Sequence, residues 1–452
     1  ALIGVAVLST GRPCHLRYNY EQQQQYTGKR SPFFTTVRYA ADKATGKIKA
    51  METDWIVDHG PYSEFGDLLT LRIADGVWVV FLLSRGFSLA QVGFAEAVFH
   101  VVSFLCEVPS GIAADLLGRK RTLVASSLCG ACSALLMAFS QSFWGVCLSM
   151  AFQALMYNFC SGTQEALTYD SLLASGKETA YLKHNAWLRG ASQVSAALSN
   201  LLGGVAALLG YFPAYAVTAL CSCACGAAAL ALAEPQVTEA QRRRTQHPFG
   251  ELWPRLKQHV GDSASFLRNH PQAAWKILSS AAAATPIYLT FMYLQQHLLE
   301  GGLPPLFLGA ALMALYLAGA AGMALGAKVK CRLFPCVLVC ALCCGGATLL
   351  AGAPWWPAAL LGGAFAQCFY NLLDLRIDAA LNEDFPSDQR ATLVSVSSMA
   401  YSLLMIVASP ISGSIGDISG TQQALWSLGL GLILLTAAGA AVYRFIFYKR
   451  NV

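Results

Sequence analysis

Runs of about twenty apolar residues recur along most of this chain, and they constrain its fold more than any other feature. A helix needs roughly 20 such residues to cross the ~30 Å hydrocarbon of a bilayer. Windows of that length lie at 92–113, 122–140, 143–168, 186–210, 212–233, 273–296, 306–327, 333–353, 356–379, 392–415 and 423–446. With no water in the bilayer core, each segment must satisfy its own backbone, so the expected fold is an all-α membrane bundle. A twelfth span, at 73–88, is truncated: its apolar core runs only from Gly76 to Leu83, and Asp67, Arg72 and Asp75 occupy what should be its first half.

Lys and Arg set the threading. If the loop after the 92–113 span is cytoplasmic, that side receives Arg119, Lys120 and Arg121, then Lys177, Lys183 and Arg189, then Arg242, Arg243, Arg244, Arg255, Lys257, Arg268 and Lys276. It also receives Lys328, Lys330, Arg332, Arg376, Arg390, Arg444, Lys449 and Arg450, so that Arg85 alone of the 22 basic residues beyond residue 72 falls on the other side. Basic residues concentrate on cytoplasmic loops, so the bias places the long polar stretch 234–272 and the C-terminus inside a cell membrane, plasma or inner. Within that stretch Phe249, Leu252, Trp253, Leu256 and Val260 have rough helical spacing, which predicts a short helix on the inner membrane surface. The triplet Arg242–Arg244 reads as a retention charge, and no nucleic-acid partner is expected.

Composition agrees. Hydrophobic residues make up 55% and charged residues 12% of the chain, against about 25% charged in soluble proteins, which excludes an ordinary soluble enzyme. The average conceals a break: residues 1–72 hold 16 charged residues, and the following 380 hold 40. Of 15 cysteines, 14 lie beyond residue 72, mostly inside apolar runs. Cys129–Cys132 and Cys340–Cys343 have CxxC spacing, but no His or second pair accompanies them in a polar loop, so they read as small apolar residues rather than metal ligands. No phosphate-binding GxxxxGK[ST] loop is present. No metal or cofactor is expected, and any work the chain does across the membrane would draw on an ion or solute gradient.

The two sets of spans echo each other. QEALTYDSLLASGKETAYLKHNA closes the fourth and LLDLRIDAALNEDFPSDQRATLVS the tenth, each with two acids near its inner end: Glu165 and Asp170, then Asp374 and Asp378. The divisions expected are 73–233, the loop 234–272, and 273–452, the repeated-half arrangement of many transporters. The stretch Gly111-Ile-Ala-Ala-Asp115-Leu-Leu-Gly118-Arg119-Lys120-Arg121 resembles the signature loop between helices 2 and 3 of the major facilitator superfamily. That resemblance covers about residues 73–452 and implies two six-helix halves rocking about a central cavity, here with a truncated first helix. It further implies a monomer that moves a small solute by alternating access, with a proton or other ion as one source of coupling and efflux as one direction.

Some marks of the family are absent. Leu116 stands where a basic residue often follows the loop Asp, and the second-half counterpart, Gly326-Ala-Lys328-Val-Lys330-Cys-Arg332, lacks the acid. The fifth span offers Gly203–Gly204 rather than the Gly-Pro signature of drug/proton antiporters. Gly111 is expected to permit close helix contact and Gly118 a tight turn. With Gly111 and Gly118, the residues Asp115, Arg119, Lys120, Arg121, Asp170, Asp378 and Arg390 are candidates for a conformational latch on the inner side, and Glu107 joins them. The resemblance makes the first, fourth, seventh and tenth helices line the cavity. Asn158, Gln164, Glu165, Tyr288, Tyr293, Gln367, Tyr370, Asn371 and Asp374 are therefore the candidates for solute or proton contact, because polar groups in the membrane are costly without a role. Glu96 and His100 on the second span join them. Equally, the acids could be structural ion pairs, and the amides interhelical hydrogen bonds.

The opening 72 residues are of another kind. Thr35–Ala41 and Lys47–Val57 flank Thr45-Gly46 as a β-hairpin in a small soluble segment. TGRPCHLRYNYEQQQQYTGKRSPFF and VDHGPYSEFGDLLTLR resemble the molybdenum-binding subunit of aldehyde oxidoreductase and xanthine dehydrogenase-type enzymes. Neither that family's cofactor-holding glycine-rich segments nor its catalytic glutamate falls within the stretch, so the resemblance transfers no hydroxylation chemistry. The expectation is a join of two unrelated reading frames near residues 70–76. The alternatives are a true fusion in which the hairpin regulates transport, a fragment of a molybdenum hydroxylase, or an inactive chimera.

Overall fold

The computed structural model describes residues 33–41, 48–57, 72–73, 76–174, 195–205, 210–232, 254, 257–258, 261, 265–384 and 390–445, with backbone alone for 33–57 and for 165, 173–174, 382–384 and 390–393. It divides into two compact units, Ala1–Gly66 and Asp67–Val452. In the first unit the described backbone forms β1 (Phe33–Ala41) and β2 (Ile48–Val57), paired antiparallel with Phe33 opposite Val57 and an irregularity at Ala40/Ala41. The expected turn at Thr45-Gly46 lies outside the described residues.

The second unit is helical. In chain order it contains α1 (Trp78–Ser84), α2 (Leu89–Leu117), α3 (Arg119–Phe139), α4 (Phe143–Cys160), α5 (Thr163–Ala174), α6 (Ser195–Val205) and α7 (Tyr211–Ala231). There follow α8 (Pro271–Glu300), a 3-10 turn at Pro305–Phe307, α9 (Leu308–Gly326), α10 (Leu333–Ala351), α11 (Trp356–Asp384), α12 (Arg390–Ser419) and α13 (Thr421–Tyr443). Ten of these, α2 to α4 and α7 to α13, are long and apolar enough to cross a membrane. The window at 186–210 is described only over α6, and the truncated first span appears as the seven-residue α1. Four helices reach 29 or 30 residues, well beyond their apolar windows. Hydropathy stops at the first charged residue, whereas backbone bonding continues into the interface. The start of α2 is fixed locally by a capping box: Gln91 N–H donates to Ser88 Oγ at 3.3 Å, and Ser88 N–H to Gln91 Oε1 at 2.9 Å.

One window is corrected. The 143–168 span is not a single helix, because α4 ends at Cys160 and the chain restarts as α5 after Ser161–Gly162, with Gly162 at φ +71°. A left-handed glycine breaks a helix without any change in hydropathy. The expected surface-helix residues Phe249, Leu252, Trp253, Leu256 and Val260 lie outside the described residues, though Pro254, Lys257, Gln258 and Gly261 are helical and exposed.

Packing uses small residues and interhelical hydrogen bonds, as expected where lipid gives no hydrophobic drive for helix association. Ser126 Oγ donates to the Met156 carbonyl at 2.7 Å, joining α3 to α4, and Ser133 Oγ lies 3.2 Å from Ser149 Oγ. α2 packs along α12; α8 packs on α1, α11, α12 and α13. Outward-facing Leu105, Phe139, Trp144, Leu220, Leu230 and Leu434 are each more than 60% exposed. An apolar surface of that extent belongs in lipid. The end of the bundle where α2 begins is called below the Arg85 end, and the opposite one the Arg119 end.

Arg85, the exception to the charge bias, has a structural explanation. It donates to the carbonyls of Met137, Ala138 and Ser140 at 3.1, 2.5 and 2.8 Å, and its guanidinium lies 4.2 Å from the Phe81 ring centroid. These carbonyls end α3, where unpaired acceptors and the helix dipole favour a cation.

Candidate functional site

A cavity of ≈ 620 Å³ opens among α1, α4, α8, α9, α11 and α12. α8 supplies its longest wall, with Ile277, Ser280, Ala284, Ile287, Tyr288 and Phe291 at the three- and four-residue spacing of one helix face. From Ile277 to Met292 that wall runs roughly 22 Å at 1.5 Å per residue. Among the described residues, the side chains lining it include none of Asp, Glu, Lys, Arg or His. They are instead six aromatic rings (Trp78, Tyr288, Phe291, Tyr316, Tyr370, Tyr401), three amides (Gln153, Gln367, Asn371), two hydroxyls (Ser280, Ser397) and small or aliphatic groups. A carboxyl stands one layer back: Asp374 accepts a hydrogen bond from Ser280 Oγ at 2.9 Å. Asn371 is braced by its own helix, donating to the Gln367 carbonyl at 2.8 Å, and its amide presses on Gly319 of α9, where a side chain would sit 2.8 Å from Nδ2.

Of the residues expected to contact solute, Tyr288, Gln367, Tyr370 and Asn371 reach this wall. Others do not. Asn158 exchanges hydrogen bonds with Ser103 of α2 at 2.8 and 2.9 Å, and Gln164 accepts from Cys160 Sγ at 3.5 Å. Tyr293 is 0% exposed, with its hydroxyl 3.2 Å from the Ser409 carbonyl and 3.1 Å from Ser412 Oγ, so it ties α8 to α12 rather than facing the cavity. The Glu165 side chain lies outside the described residues. The sequence reading missed Gln153, Tyr316 and Tyr401, polar groups within apolar spans that the cost of intramembrane polarity could have flagged. It also missed Trp78, for which there was no signal.

The loop motif joins α2 to α3 through Gly118, at φ +105°, which ends the first helix and begins the second. Arg119 pairs with Asp170 of α5 and also donates to the Ala166 carbonyl. Asp115, Arg121 and Asp378 are exposed and Lys120 half-buried; the Arg390 side chain lies outside the described residues. Gly111 does not serve close contact: it is exposed, and a side chain built there would meet nothing within 4 Å. The close-contact glycine of α2 is Gly93, where such an atom would lie 2.2 Å from the Ser409 carbonyl oxygen.

Residues 65–380 match the family model described as Major Facilitator Superfamily. The chain belongs to the major facilitator superfamily. Its fold is similar to that of the nucleoside transporter NupG, with TM-score 0.68 and 14% identity over 85% of this chain and 99% of that one. The D-xylose-proton symporter is similar too, with TM-score 0.66 and 14% identity over 84% and 96%. The uncharacterized MFS-type transporter YxaM of Bacillus subtilis (strain 168) is 33% identical over 58 residues, 13% of this chain. Residues 1–78 match a molybdopterin cofactor-binding domain, and aldehyde oxidoreductase of Megalodesulfovibrio gigas is 71% identical over 75 residues, 17% of this chain. The chain spans 8% of that oxidoreductase's length and 14% of YxaM's. Among the described residues no three His, Cys, Asp or Glu side chains gather where they could hold a metal, and the described part of the first unit is one strand pair.

As a member of the superfamily, the chain is a multi-pass membrane protein of a family that moves small solutes, and its seams bear on that activity. α2 and α12 are joined along their length. Asp417 accepts from Leu89 N–H and Ala90 N–H at 2.7 and 3.0 Å, capping the start of α2. Farther in, His100 Nδ1 lies 3.3 Å from Ser402 Oγ, and Ser398 Oγ donates to Glu107 at 3.1 Å. At the Arg85 end α6 meets α9 with no room for side chains, since an atom built on Gly204 would lie 2.5 Å from the Gly309 backbone.

Proposed function

We propose that residues 73–452 are a secondary transporter that moves a small, neutral, ring-bearing polar solute across the cell membrane by alternating access. Residues 73–233 and 273–452 act as the two halves, and the loop 234–272, the C-terminus and the Arg119 end face the cytoplasm. One observation carries the solute class: among the described residues the cavity wall holds six aromatic rings and three amides but no ionisable side chain other than tyrosine. A bare anion would find no cation there to replace its hydration, and a bare cation would reach Asp374 only through Ser280. A flat hydroxylated ring can stack on tyrosine and indole faces and hydrogen-bond to Gln153, Gln367 and Asn371. The structural neighbours named for a nucleoside and for D-xylose are of this chemistry.

Counterflow in proteoliposomes tests the proposal, with labelled uridine, D-xylose, a dipeptide, gluconate and choline as probes. Uridine or D-xylose should exchange, and Asn371→Ala should raise the KM of that exchange. Exchange of gluconate or choline alone would refute the solute class, and exchange of none of the five would refute transport of this kind. Inside-out and right-side-out vesicles distinguish uptake from efflux.

Residues 1–72 take no part in this proposal. Two unrelated family matches overlap within residues 65–78, which supports a join of two reading frames. Single-molecule resequencing across that point tests it, and an uninterrupted frame would favour a true fusion.

A further inference from the structure

The connection between α9 and α10 carries three cations to which the transport reading assigns no role. Lys328, Lys330 and Arg332 are exposed, and Arg332 is the N-cap of α10. No acid stands in the first turn of that helix, so its positive end adds to their charge instead of offsetting it. Arg376 of α11 holds the connection in place by donating to the Cys331 carbonyl at 2.9 Å.

A fourth cation joins them from α13. The rings of Phe334 on α10 and Tyr443 on α13 stack with centroids 4.2 Å apart. Trp275 of α8 lies 4.7 Å from Tyr443 and 5.8 Å from Phe334. Arg332 stands two residues before Phe334, and the exposed Arg444 directly follows Tyr443, so both belong to the rim of one aromatic cluster at the Arg119 end. Arg85 is taken up by carbonyls and Arg119 by Asp170, but among the described residues neither Arg332 nor Arg444 has a side-chain hydrogen bond or an ion pair. From the rim an apolar track runs into the span. Pro335, Val339 and Leu342 continue from Arg332 along α10 at three- and four-residue spacing, all exposed. Leu434, Leu435 and Val442 are exposed on α13, which packs on α10.

We propose that this rim binds an anionic phospholipid, with its phosphate on Arg332 and Arg444 and its acyl chains along α10 and α13. Guanidinium groups match phosphate oxygens in charge and geometry, and aromatic rings favour the headgroup level of a bilayer. Basic pockets between membrane helices suit such headgroups. A free phosphate or an acidic peptide would satisfy the charge and leave the apolar track bare. A headgroup seated there ties the start of α8, the cavity's longest wall, to α10 and α13. Native mass spectrometry of the full chain in detergent tests the site by titration with phosphatidylglycerol or with phosphatidylcholine of the same acyl chains. Phosphatidylglycerol should bind more tightly. One cation near the surface is worth about 5-fold in affinity. Arg332→Gln and Arg444→Gln should therefore each weaken phosphatidylglycerol binding by about 5-fold and the double variant by roughly 25-fold, with phosphatidylcholine unmoved. Arg121→Gln, at an exposed arginine of α3, should change neither affinity. Equal affinity for the two lipids, a double variant that binds as wild type, or the same loss in Arg121→Gln would overturn the site. Displacement of phosphatidylglycerol by an equal concentration of inorganic phosphate or of a hexaglutamate peptide would overturn the lipid as its occupant. No solute is present, so these outcomes are independent of the counterflow screen.

Discussion

The same substitution at two glycines of α2 should have unequal effects. An ideal Cβ at Gly93 would lie 2.2 Å from the Ser409 carbonyl oxygen and 2.9 Å from its carbon, both backbone atoms of α12; at Gly111 it would meet nothing within 4 Å. Carbon contacts settle near 3.5–4.0 Å, so Gly93→Ala must force the two helices apart by roughly 1 Å. Overpacking of this kind costs about 1–3 kcal/mol. Replacing glycine by alanine in a helix interior stabilises by roughly 0.5–1 kcal/mol at either site. Gly111→Ala should therefore be mildly stabilising and Gly93→Ala neutral to destabilising. The difference between them is the seam clash alone, about 1–3 kcal/mol or 5–150-fold in an equilibrium constant. Amide hydrogen exchange read by mass spectrometry gives that factor locally. Peptides across the start of α2 and the end of α12 should exchange faster in Gly93→Ala, while α3 and α7 stay as in wild type. If both variants change protection equally, or Gly111→Ala proves the more disruptive, the packing of α2 on α12 is not as described.

The Arg119–Asp170 side chains are only 18% and 10% exposed, so a double-mutant cycle by thermal unfolding should give a coupling of about 1–3 kcal/mol. A value near zero would class the pair with ordinary surface ion pairs. Arg85→Ala removes three bonds to the carbonyls ending α3 and should lower stability by about 1 kcal/mol, with Arg85→Lys recovering part of it. Ser88→Ala breaks the capping box of α2 and should cost about 1 kcal/mol. Gly319→Ala places a methyl group 2.8 Å from Asn371 Nδ2 and should raise the counterflow KM without lowering the unfolding temperature.

The membrane spans could be read from the sequence because two independent signals, apolar length and the placement of Lys and Arg, agree in lipid for physical reasons. The break at Gly162 could not, since a left-handed φ leaves no mark on hydropathy. At the cavity the limit was rotation. Intramembrane polarity flags a residue but does not say which way it faces. Tyr288 and Tyr293 are five residues apart, which turns them about 140° from each other around α8 at 3.6 residues per turn; one faces the cavity and the other α12. Gln367 and Asn371, four apart, share the cavity face, whereas Asp374 falls behind Ser280. Glu96 and His100 could be paired on paper by their spacing. Their partner Ser402 is 302 residues from His100, and such a contact is invisible without the fold.

The close-packed Arg85 end combines two opposing terms. Gly93 against Ser409 and Gly204 against Gly309 bring helices into backbone contact, and Asp417 caps α2. In the same region polar atoms are buried without a hydrogen-bond partner among the described residues: both ends of the Gln295 amide, which is 0% exposed, and Asn200 Oδ1 beside Gly76. Each such group costs about 1–3 kcal/mol, and opening that end would hydrate them. Tight packing thus favours closure while the orphaned amides favour opening. The proposed transport cycle needs both terms, because a ligand can move a conformational equilibrium only by the difference in its affinity for the two states.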